Sequence, residues 1–584
     1  MNTKIQLSRP AIIISIILFV GFLVRLIGLE GLSFWVDEYV HIQCARAYLE
    51  GTGPLVTDDN NGILLTVFIL PFFKFLGMNE WTARIPSVLF GTTAIYLSFR
   101  IAKKLFNAET AILSTLLTAS SLYLIYWSRL ARNYSIFECF YLLLLLIFIY
   151  IFLENKFSPK SIGLLLFTAF LSFLSHQLSF FFFISAAFYF ILINIPIFRT
   201  GDESKKTIQI QQFLGILSTF ALSAMFIPFF GNLLKTALGV FLPDRIVNWV
   251  IPNWDRISQL LSEKPFEAFQ VYTDVLTYDY GYLWIFGVAG LIVAAIKNRR
   301  SGLFICSFFL LPYLLMSFIF REPSLPRYLI YIYPLFLMLV AYGIWEIWYL
   351  ISQKWLRSTK FNLAICLIPI IPFIRFSEIK SLVLVEQKEG LVVDSRLAKW
   401  AFVNWKDPAR YLKPQIKEGD IILSTVPKAA SWYLDLPEDE IIWFRQRIYD
   451  TEQNGYVPYT DLPEEPHAFT SEGFQHILQS NPRGWFLADY YLDNILTDPG
   501  TKSIAYTNLH FNKDASPDGS VRLFSWNHAN GWEQNQQMVV VLGKTSSKLY
   551  SKEMKLNIPP EFLKKPQLEF FFYTEGIDSS KEAY

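Results

Sequence analysis

Long apolar runs separated by short polar segments dominate the chain as far as residue 376. A helix needs about 20 apolar residues to cross the hydrocarbon core of a bilayer, and eleven runs approach that length. The first run is longer than the core of a signal peptide and no small-residue cleavage site follows it, so we expect it to be retained. We predict spans near residues 11–28, 85–102, 109–127, 136–153, 161–175, 178–198, 208–228, 282–297, 302–320, 328–350 and 361–376.

A further apolar run, GILLTVFILPFFKFLGM at residues 62–78, is short and contains Pro71 and Lys74. If this run does not cross the membrane, all the basic clusters fall on one side, which the positive-inside rule makes the cytoplasmic side. We therefore predict a re-entrant or interfacial helix here, a cytoplasmic N-terminus and an extracytoplasmic C-terminus. The clusters are Lys103 and Lys104; Lys156 and Lys160; Arg199, Lys205 and Lys206; Lys297, Arg299 and Arg300; and Lys354, Arg357 and Lys360.

With this topology, five polar segments rich in Arg, Asp, Glu, His and Tyr lie on the outer face, whereas the cytoplasmic loops are short. The five segments are a first loop at 29–84, SRLARNY at 128–134, SHQLS at 175–179, a long loop at 229–281 and REPSLPRY at 321–328. Chemistry is therefore expected on the extracytoplasmic side of the membrane.

The tail of the chain is more polar and has strand patterns. EGDIILST, EIIWFRQ, VRLFSWN and QMVVVLG indicate strands, and FQHILQSNPRGWFLADYY indicates a helix, a turn and a strand. We predict a membrane domain at 1–377 and an extracytoplasmic soluble α/β domain at 378–584. The expected fold is thus a polytopic α-helical membrane protein of about 11 spans with an α/β domain at its C-terminal end.

The composition agrees with a chain that lies largely in lipid. Of its 584 residues, 53% are hydrophobic and 17% are charged, whereas soluble domains contain about 25% charged residues. The net charge of +2 gives no sign of a nucleic-acid-binding surface. Four cysteines are too few for a disulfide framework in a chain of this length. We expect an integral membrane protein surrounded by lipids, with no nucleic-acid partner.

The segment FWVDEYVH, at residues 34–41, follows the first predicted span and places two carboxylates beside the membrane. Ser33 is a suitable N-cap and Gly51 a suitable end for a helix that contains Asp37 and His41 on one face. Charges at the end of a span are costly and are frequently functional. Solvated charges on an interfacial helix are the competing interpretation for this segment.

A zinc-hydrolase interpretation of DEYVH fails on the number of ligands. Catalytic zinc takes three protein ligands, and the H-E-x-x-H motif supplies two histidines. Here Asp37 replaces the first histidine, and only His176 is a further candidate on the outer face. A divalent cation held by Asp37 and His41 in another role stays an open alternative.

Arginines lie at the outer ends of two predicted spans. Arg129 and Arg132 precede Tyr134, and Arg327 lies in REPSLPRY. Guanidinium groups suit phosphate oxygens, so the more specific hypothesis is that these arginines bind a lipid that carries a phosphate. The alternatives are arginines that snorkel to lipid headgroups and a structural ion pair between Arg and Glu in REPSLPRY. Residues Asp58 and Asp59 could form an ordinary turn or contact an acceptor.

The order of these motifs resembles the GT-C class of polyprenyl- or dolichyl-phosphate-sugar-dependent glycosyltransferases. It is most similar to the branch of protein O-mannosyltransferases and lipid A aminoarabinose (ArnT-like) transferases. The shared features are W-x-D-E after span one, an amphipathic segment that ends in FLGMNEWTARIPS, R-x-x-R-x-Y, and a late R-Y-L span. The resemblance covers residues 1 to about 350.

The resemblance implies an inverting transfer of one sugar, mannose or a related one, from a polyprenyl-phosphate donor to an extracytoplasmic glycan, lipid or protein. Asp37 occupies the catalytic carboxylate position of the family, and Glu38 accompanies it. Arg129, Arg132 and Arg327 are then expected to bind the donor phosphate, with His41, Asp58, Asp59 and Tyr134 as acceptor or metal contacts. A carrier or flippase for a lipid-linked glycan and a hydrolase of a lipid phosphate are the alternative functions.

Overall fold

The computed structural model describes residues 9–55, 62–195, 214, 267–319, 325–355, 366–384, 403–444, 447–450, 455–458, 470–492, 497, 499–516 and 519–528. Several predictions lie outside these residues. They are the span near 208–228, most of the loop 229–281, the carboxylates Asp58 and Asp59, and the strand QMVVVLG.

Helices form most of the described chain up to residue 384. They are α1 (Arg9–Leu26), α2 (Tyr39–Glu50), α3 (Ile63–Leu76), α4 (Glu80–Leu105), α5 (Ala108–Ser120), α6 (Leu122–Ser128), α7 (Tyr134–Phe148), α8 (Pro159–Ser175), α9 (Phe180–Asn194), α10 (Glu267–Tyr278), α11 (Trp284–Lys297), α12 (Arg299–Ile305), α13 (Leu311–Phe318), α14 (Tyr333–Trp355) and α15 (Phe376–Leu384).

Five helical stretches in the described residues are long and apolar enough to cross a membrane, and two bent pairs of helices raise this number to seven. The pairs are α5 with α6, bent by 58°, and α10 with the stretch ending in α11, bent by 106°. Shorter apolar helices at Pro10–Leu26 and Pro159–Ser175 coincide with two other predicted spans. The helical membrane architecture is therefore confirmed, whereas a count of 11 spans stays a prediction.

Two apolar segments differ from a long continuous span. Helix α3 has 14 residues, which at 1.5 Å per residue reach about 21 Å, and its placement as a re-entrant or interfacial helix stays a prediction. The predicted span 361–376 differs from the structure in its described part, because residues 368–375 form a turn, a short 3-10 helix and a bend. Pro369 and Pro372 lack the N–H that a continuous helix requires.

The loops that carry three of the basic clusters lie at one end of the helical bundle. Lys104 pairs with Glu154, and the Nζ of Lys156 lies 3.3 Å from the same carboxylate. Asn298 donates to the carbonyl of Leu105 at 3.2 Å. The contacts agree with the prediction that these clusters share one side of the membrane.

The tail contains strands β1 (Ile421–Ser424), β2 (Ile441–Trp443), β3 (Arg447–Asp450), β4 (Gly455–Pro458), β5 (Arg483–Ala488), β6 (His510–Phe511) and β7 (Arg522–Asn527). Its helices are α16 (Lys406–Leu412), α17 (Pro427–Leu434), α18 (Ser471–Ser480) and α19 (Pro499–Asn508). Strands β1, β2, β5 and β7 and helix α18 fall in the segments predicted from the sequence.

Five of these strands form one mixed sheet in the order β2-β1-β5-β7-β6, and β3 pairs with β4 in a separate hairpin. Strand β1 is parallel to β2 and β5, whereas β7 is antiparallel to β5 and β6. The sheet buries aromatic side chains, and the rings of Phe444 and Phe486 lie 4.8 Å apart. Helix α17 packs against β1 and β2.

The chain divides into two compact units that do not follow a single cut in the sequence. The first unit comprises residues Met1–Gly31, Val40–Glu386 and Asp394–Ala398, and the second comprises Leu32–Tyr39, Gln387–Val393 and Lys399–Tyr584. A short segment near the N-terminus therefore packs as part of the second unit, which we call the C-terminal unit because most of its residues follow Lys399. We call residues 32–39 the motif segment.

Candidate functional site

The two adjacent carboxylates of the motif segment, Asp37 and Glu38, differ in exposure and in hydrogen bonding. Residues Val36–Glu38 form one 3-10 turn that precedes α2. The Oε2 atom of Glu38 accepts the backbone N–H of Trp35 at 2.8 Å, and the Glu38 side chain is fully buried. Asp37 is partly exposed. Asp37 is therefore the carboxylate that remains accessible for chemistry, whereas Glu38 closes the turn.

Ser33 does not cap its own helix, although the sequence predicted that it would. Its Oγ instead accepts the backbone N–H groups of Trp405, at 3.0 Å, and Lys406, at 3.3 Å, where α16 begins. These are among the N–H groups that a helix cannot satisfy internally. The predicted end of the helix is confirmed, because Gly51 follows α2 with a φ of +71°.

His41 lies in α2 and joins it to α3. Its Nδ1 is 3.1 Å from the Oγ1 of Thr66, and its side chain is fully buried. Among the described residues, no group of three His, Cys, Asp or Glu side chains is placed to hold a metal ion.

Arg129, which the sequence predicted to bind phosphate, donates hydrogen bonds from its guanidinium to backbone carbonyls. Its Nη1 donates to the carbonyls of Val24, Arg25 and Ile27, and its Nη2 donates to those of Gly28 and Leu382, at distances of 2.6–3.2 Å. Burial, followed by the charges of other arginines, lowers the pKa of Arg129 to about 9. The side chain therefore stays charged at neutral pH and satisfies the carbonyls that α1 leaves at its C-terminal end.

Arg132 and Arg327 meet over one aromatic ring, although they are far apart in the sequence. The guanidinium carbons of Arg132 and Arg327 lie 5.6 Å and 5.8 Å from the centroid of Tyr134. Arg327 also lies 5.9 Å from the ring of Tyr328. The negative face of an aromatic ring attracts such cations. The structure thus brings Arg327 to Arg132 and Tyr134, which lie in a different sequence motif.

His176 completes this group, which we call the arginine cluster: Arg132, Tyr134, His176, Arg327 and Tyr328. Its ring lies 5.6 Å from that of Tyr134 and 6.1 Å from that of Tyr328. Burial, followed by the positive charges of Arg132 and Arg327, lowers the pKa of His176 to about 3. The imidazole is therefore neutral at physiological pH. Its Nδ1 accepts the N–H of Leu178 at 3.1 Å, so the proton lies on Nε2.

Asp279, which sequence reasoning missed, connects the segments that carry the two arginines. This buried carboxylate accepts the N–H of Tyr123 at 3.0 Å and the hydroxyl of Tyr333 at 2.9 Å, as well as the hydroxyl of Ser121. Tyr123 in turn donates from its hydroxyl to the carbonyl of Pro326 at 2.7 Å. Helix α6 precedes Arg132, and Pro326 precedes Arg327. The available sequence signal was an isolated carboxylate beside an apolar span, in YDYGYLW.

The arginine cluster and the Asp279 network lie in the first unit, and Asp37 and Glu38 lie in the second. Residues 61–223 match the profile of a family described as dolichyl-phosphate-mannose-protein mannosyltransferase. That segment contains Arg132, Tyr134 and His176. No curated protein matches the chain.

Solved structures of ArnT are similar in fold to most of this chain. ArnT from Cupriavidus metallidurans in the apo state is 12% identical, with a TM-score of 0.51 over 88% of this chain and 97% of that one. The same ArnT bound to undecaprenyl phosphate is 10% identical, with a TM-score of 0.52 over 90% and 99% of the two chains. The chain has the GT-C fold.

The GT-C fold extends to archaeal proteins. Oligosaccharyltransferase AglB from Archaeoglobus fulgidus, in complex with an inhibitory peptide and a dolichol-phosphate, is 12% identical, with a TM-score of 0.50 over 90% of this chain and 74% of that one. The resemblance to GT-C glycosyltransferases inferred from the sequence motifs is therefore confirmed. Identities this low establish the fold and leave the reaction to be argued from the residues.

Proposed function

We propose that this protein is an inverting membrane glycosyltransferase that moves one sugar, mannose or a related one, from a polyprenyl-phosphate donor to an extracytoplasmic acceptor. The matched mannosyltransferase profile and the GT-C fold support a transferase that uses a lipid-linked sugar. The ArnT and AglB structures that contain undecaprenyl phosphate and dolichol-phosphate support this class of donor lipid.

The observation that carries the proposal is the arginine cluster. Two guanidinium groups and a neutral imidazole lie around the ring of one tyrosine, Tyr134. Like charges held together favour an anion between them, and guanidinium forks suit phosphate oxygens. We assign Arg132 and Arg327 to the donor phosphate. Arg129, whose donors hold carbonyls, supports the end of α1 in this proposal.

Asp37 is proposed as the base of the reaction. The acceptor oxygen attacks the anomeric carbon opposite the phosphate, and the bond between this carbon and the phosphate oxygen breaks with its electron pair going to that oxygen. Asp37 accepts the proton of the attacking hydroxyl. The leaving lipid phosphate gains a negative charge, which Arg132 and Arg327 would stabilise more strongly in the transition state than in the donor.

The topology inferred from the basic clusters places this reaction outside the cytoplasm. The arginine cluster lies at the ends of α7, α8 and α14 that are opposite the loop containing Lys156 and the last turn of α14, which contains Lys354. If those two segments are cytoplasmic, the cluster faces the extracytoplasmic leaflet. The acceptor is then a glycan, lipid or protein of the cell envelope or cell surface.

The test uses purified protein in nanodiscs and a panel of labelled polyprenyl-phosphate sugars. Donor binding and release of free lipid phosphate are measured for wild type, Asp37→Asn, Glu38→Gln, Arg132→Gln and Arg327→Gln. Arg100→Gln is the matched control, because this exposed arginine lies 5.7 Å from the ring of Tyr96 in a similar stacking contact. The control should bind and turn over the donor like wild type.

We expect Asp37→Asn to bind the donor normally and to lose about 10²- to 10⁴-fold in turnover. Each cluster variant should lose roughly 10²- to 10³-fold in turnover, as expected for a donor to a developing oxyanion. Glu38→Gln should retain turnover, because its amide oxygen still accepts the Trp35 N–H. Normal turnover by Asp37→Asn would contradict the proposal and favour a carrier, and sugar release to water despite a competent acceptor would favour a hydrolase.

A further inference from the structure

The motif segment is held by the C-terminal unit. The chain enters this unit at Leu32 and leaves it after Tyr39, although the bulk of the unit begins at Lys399. Residues this remote in sequence lose considerable conformational entropy when they are fixed together. Specific contacts must therefore hold the segment in place.

The first contact is the cap that Ser33 provides to α16. Its hydroxyl accepts the N–H groups of Trp405 and Lys406 at 3.0 and 3.3 Å, and Ser33 itself is buried. Capping side chains normally come from the residue just before the helix. Here the oxygen comes from a residue that lies 372 positions earlier. The cap thus fixes the segment and the helix to each other.

The second contact is made by Phe34. Its backbone N–H donates to the hydroxyl of Tyr433 in α17 at 2.8 Å. Its ring packs edge-on against Trp432, with centroids 5.4 Å apart and planes at 87°. Because α17 lies against strands of the sheet, the backbone of Phe34 is tied to the core of the unit.

The third contact lies within the segment. It fixes the position of Asp37 relative to the anchored residues Ser33 and Phe34. The N–H of Trp35 is held by the carboxylate of Glu38, which closes the turn around Val36 and Asp37. Val36 is 44% exposed and Asp37 is partly exposed, whereas Glu38 is 0% exposed. The turn therefore has little freedom, and it leaves Asp37 as its accessible carboxylate.

We infer that Ser33 and Tyr433 are positioning residues for the reaction, so that the C-terminal unit sets the place of Asp37. The inference rests on the proposed role of Asp37 as the base. It assigns the C-terminal unit a direct share in the chemistry. A base displaced by about 1 Å can lower the rate about 100-fold, so loss of either contact should reduce the chemical step.

The test compares Ser33→Ala, Tyr433→Phe and the double variant with wild type in nanodiscs. Each protein is loaded with a donor that the wild type turns over, and one round of transfer is followed as lipid phosphate release. The rate constant reports the position of the base, whereas the amplitude reports the fraction of correctly folded protein. Donor affinity is measured separately. Ser480→Ala and Tyr411→Phe remove hydroxyls from exposed side chains of the same unit and serve as controls.

We expect each single variant to lower the rate constant 10- to 100-fold, with donor affinity unchanged and the controls at the wild-type rate. Ser33→Thr, which retains a hydroxyl, should recover part of the rate. If Ser33→Ala gives no amplitude because it does not fold, Tyr433→Phe decides. Wild-type rate constants in the folded variants, together with an inactive Asp37→Asn, would overturn the inference and leave the proposed function intact. An active Asp37→Asn would remove both.

Discussion

At the scale of single residues, environment separates side chains that look equivalent in the sequence. Glu38 is buried and occupied by the N–H of Trp35, whereas its neighbour Asp37 is partly exposed. Likewise, both Nη atoms of Arg129 donate to backbone carbonyls, whereas the guanidinium of Arg132 lies over Tyr134 in the arginine cluster. Residue type suggests a chemistry, and the partners determine which residue is available for it.

The lowered pKa of His176 predicts how the free energy of unfolding depends on pH. Its pKa is about 3 in the folded protein and about 6.5 when unfolded. The unfolded chain therefore binds more protons between these values, and this residue makes the free energy of unfolding fall as the pH falls from 6.5 towards 3. The slope is at most about 1.4 kcal/mol per pH unit.

The measurement is thermal unfolding of detergent-solubilised protein, followed by tryptophan fluorescence from pH 7.5 to 4.5. Replacing His176 with Gln should make the melting temperature less sensitive to acid, with little change at pH 7.5. His476→Gln, an exposed histidine in α18, is the control and should follow wild type. Equal acid sensitivity of His176→Gln and wild type would show that His176 is not held neutral.

At the scale of elements, broken helices place the polar groups of the first unit. The 58° bend between α5 and α6 leaves N–H groups at the start of α6 without helical partners. Asp279 accepts one of them, from Tyr123, and also binds the hydroxyl of Tyr333 in α14. This carboxylate therefore holds together the elements that lead to Arg132 and Arg327.

We expect Asp279→Asn to weaken donor binding. One carboxylate oxygen becomes an NH2 group, which cannot accept the hydrogen bonds of Ser121 and Tyr333. Loss of a hydrogen bond to a charged group corresponds to about 1.5–3 kcal/mol, or roughly 10- to 150-fold in donor Kd if it is expressed in the position of the arginines. Titration with labelled donor measures the effect, and Asp274→Asn in α10 is the control. Unchanged affinity in folded Asp279→Asn would separate this network from the arginine cluster.

The sequence predicted elements better than their contacts, for physical reasons. Apolar length and charge bias located the helices, and the prediction of a re-entrant α3 rests on its short length and on Lys74, which are local properties of the sequence. The cap formed by Ser33 could not be found, because a hydroxyl satisfies any N–H that the fold brings near it, whatever the separation in sequence. The cluster around Tyr134 was only half visible, since nothing local indicated that Arg327 would meet Arg132.

At the scale of the whole molecule, the basic clusters and the arginine cluster lie at opposite ends of the helical bundle. The last turn of α4, which contains Lys104, and the loop of Glu154 and Lys156 lie together at one end of the bundle, and the arginine cluster lies at the ends of α7, α8 and α14 away from them. Two ends with distinct polar groups suit a protein that faces two compartments.

Labelling with an impermeant thiol reagent checks this topology. The native cysteines are buried or partly buried, so background labelling should be low. Lys156→Cys should react only after the membrane is permeabilised, because we expect a cytoplasmic loop. Glu438→Cys, at an exposed position of the C-terminal unit, should react from outside intact cells. The reverse pattern would invert the proposed orientation and exclude an extracytoplasmic site.

The path of the motif segment limits how such an enzyme can be rebuilt. A chimera joined between the helical bundle and the tail would receive a foreign tail that lacks the partner groups of Trp405, Lys406 and Tyr433 for its N-terminal segment. Such a hybrid should retain a helical bundle that binds lipid and yet turn over slowly. Residues 32–39 would have to be exchanged together with the tail, so a working graft consists of two pieces that lie far apart in the sequence.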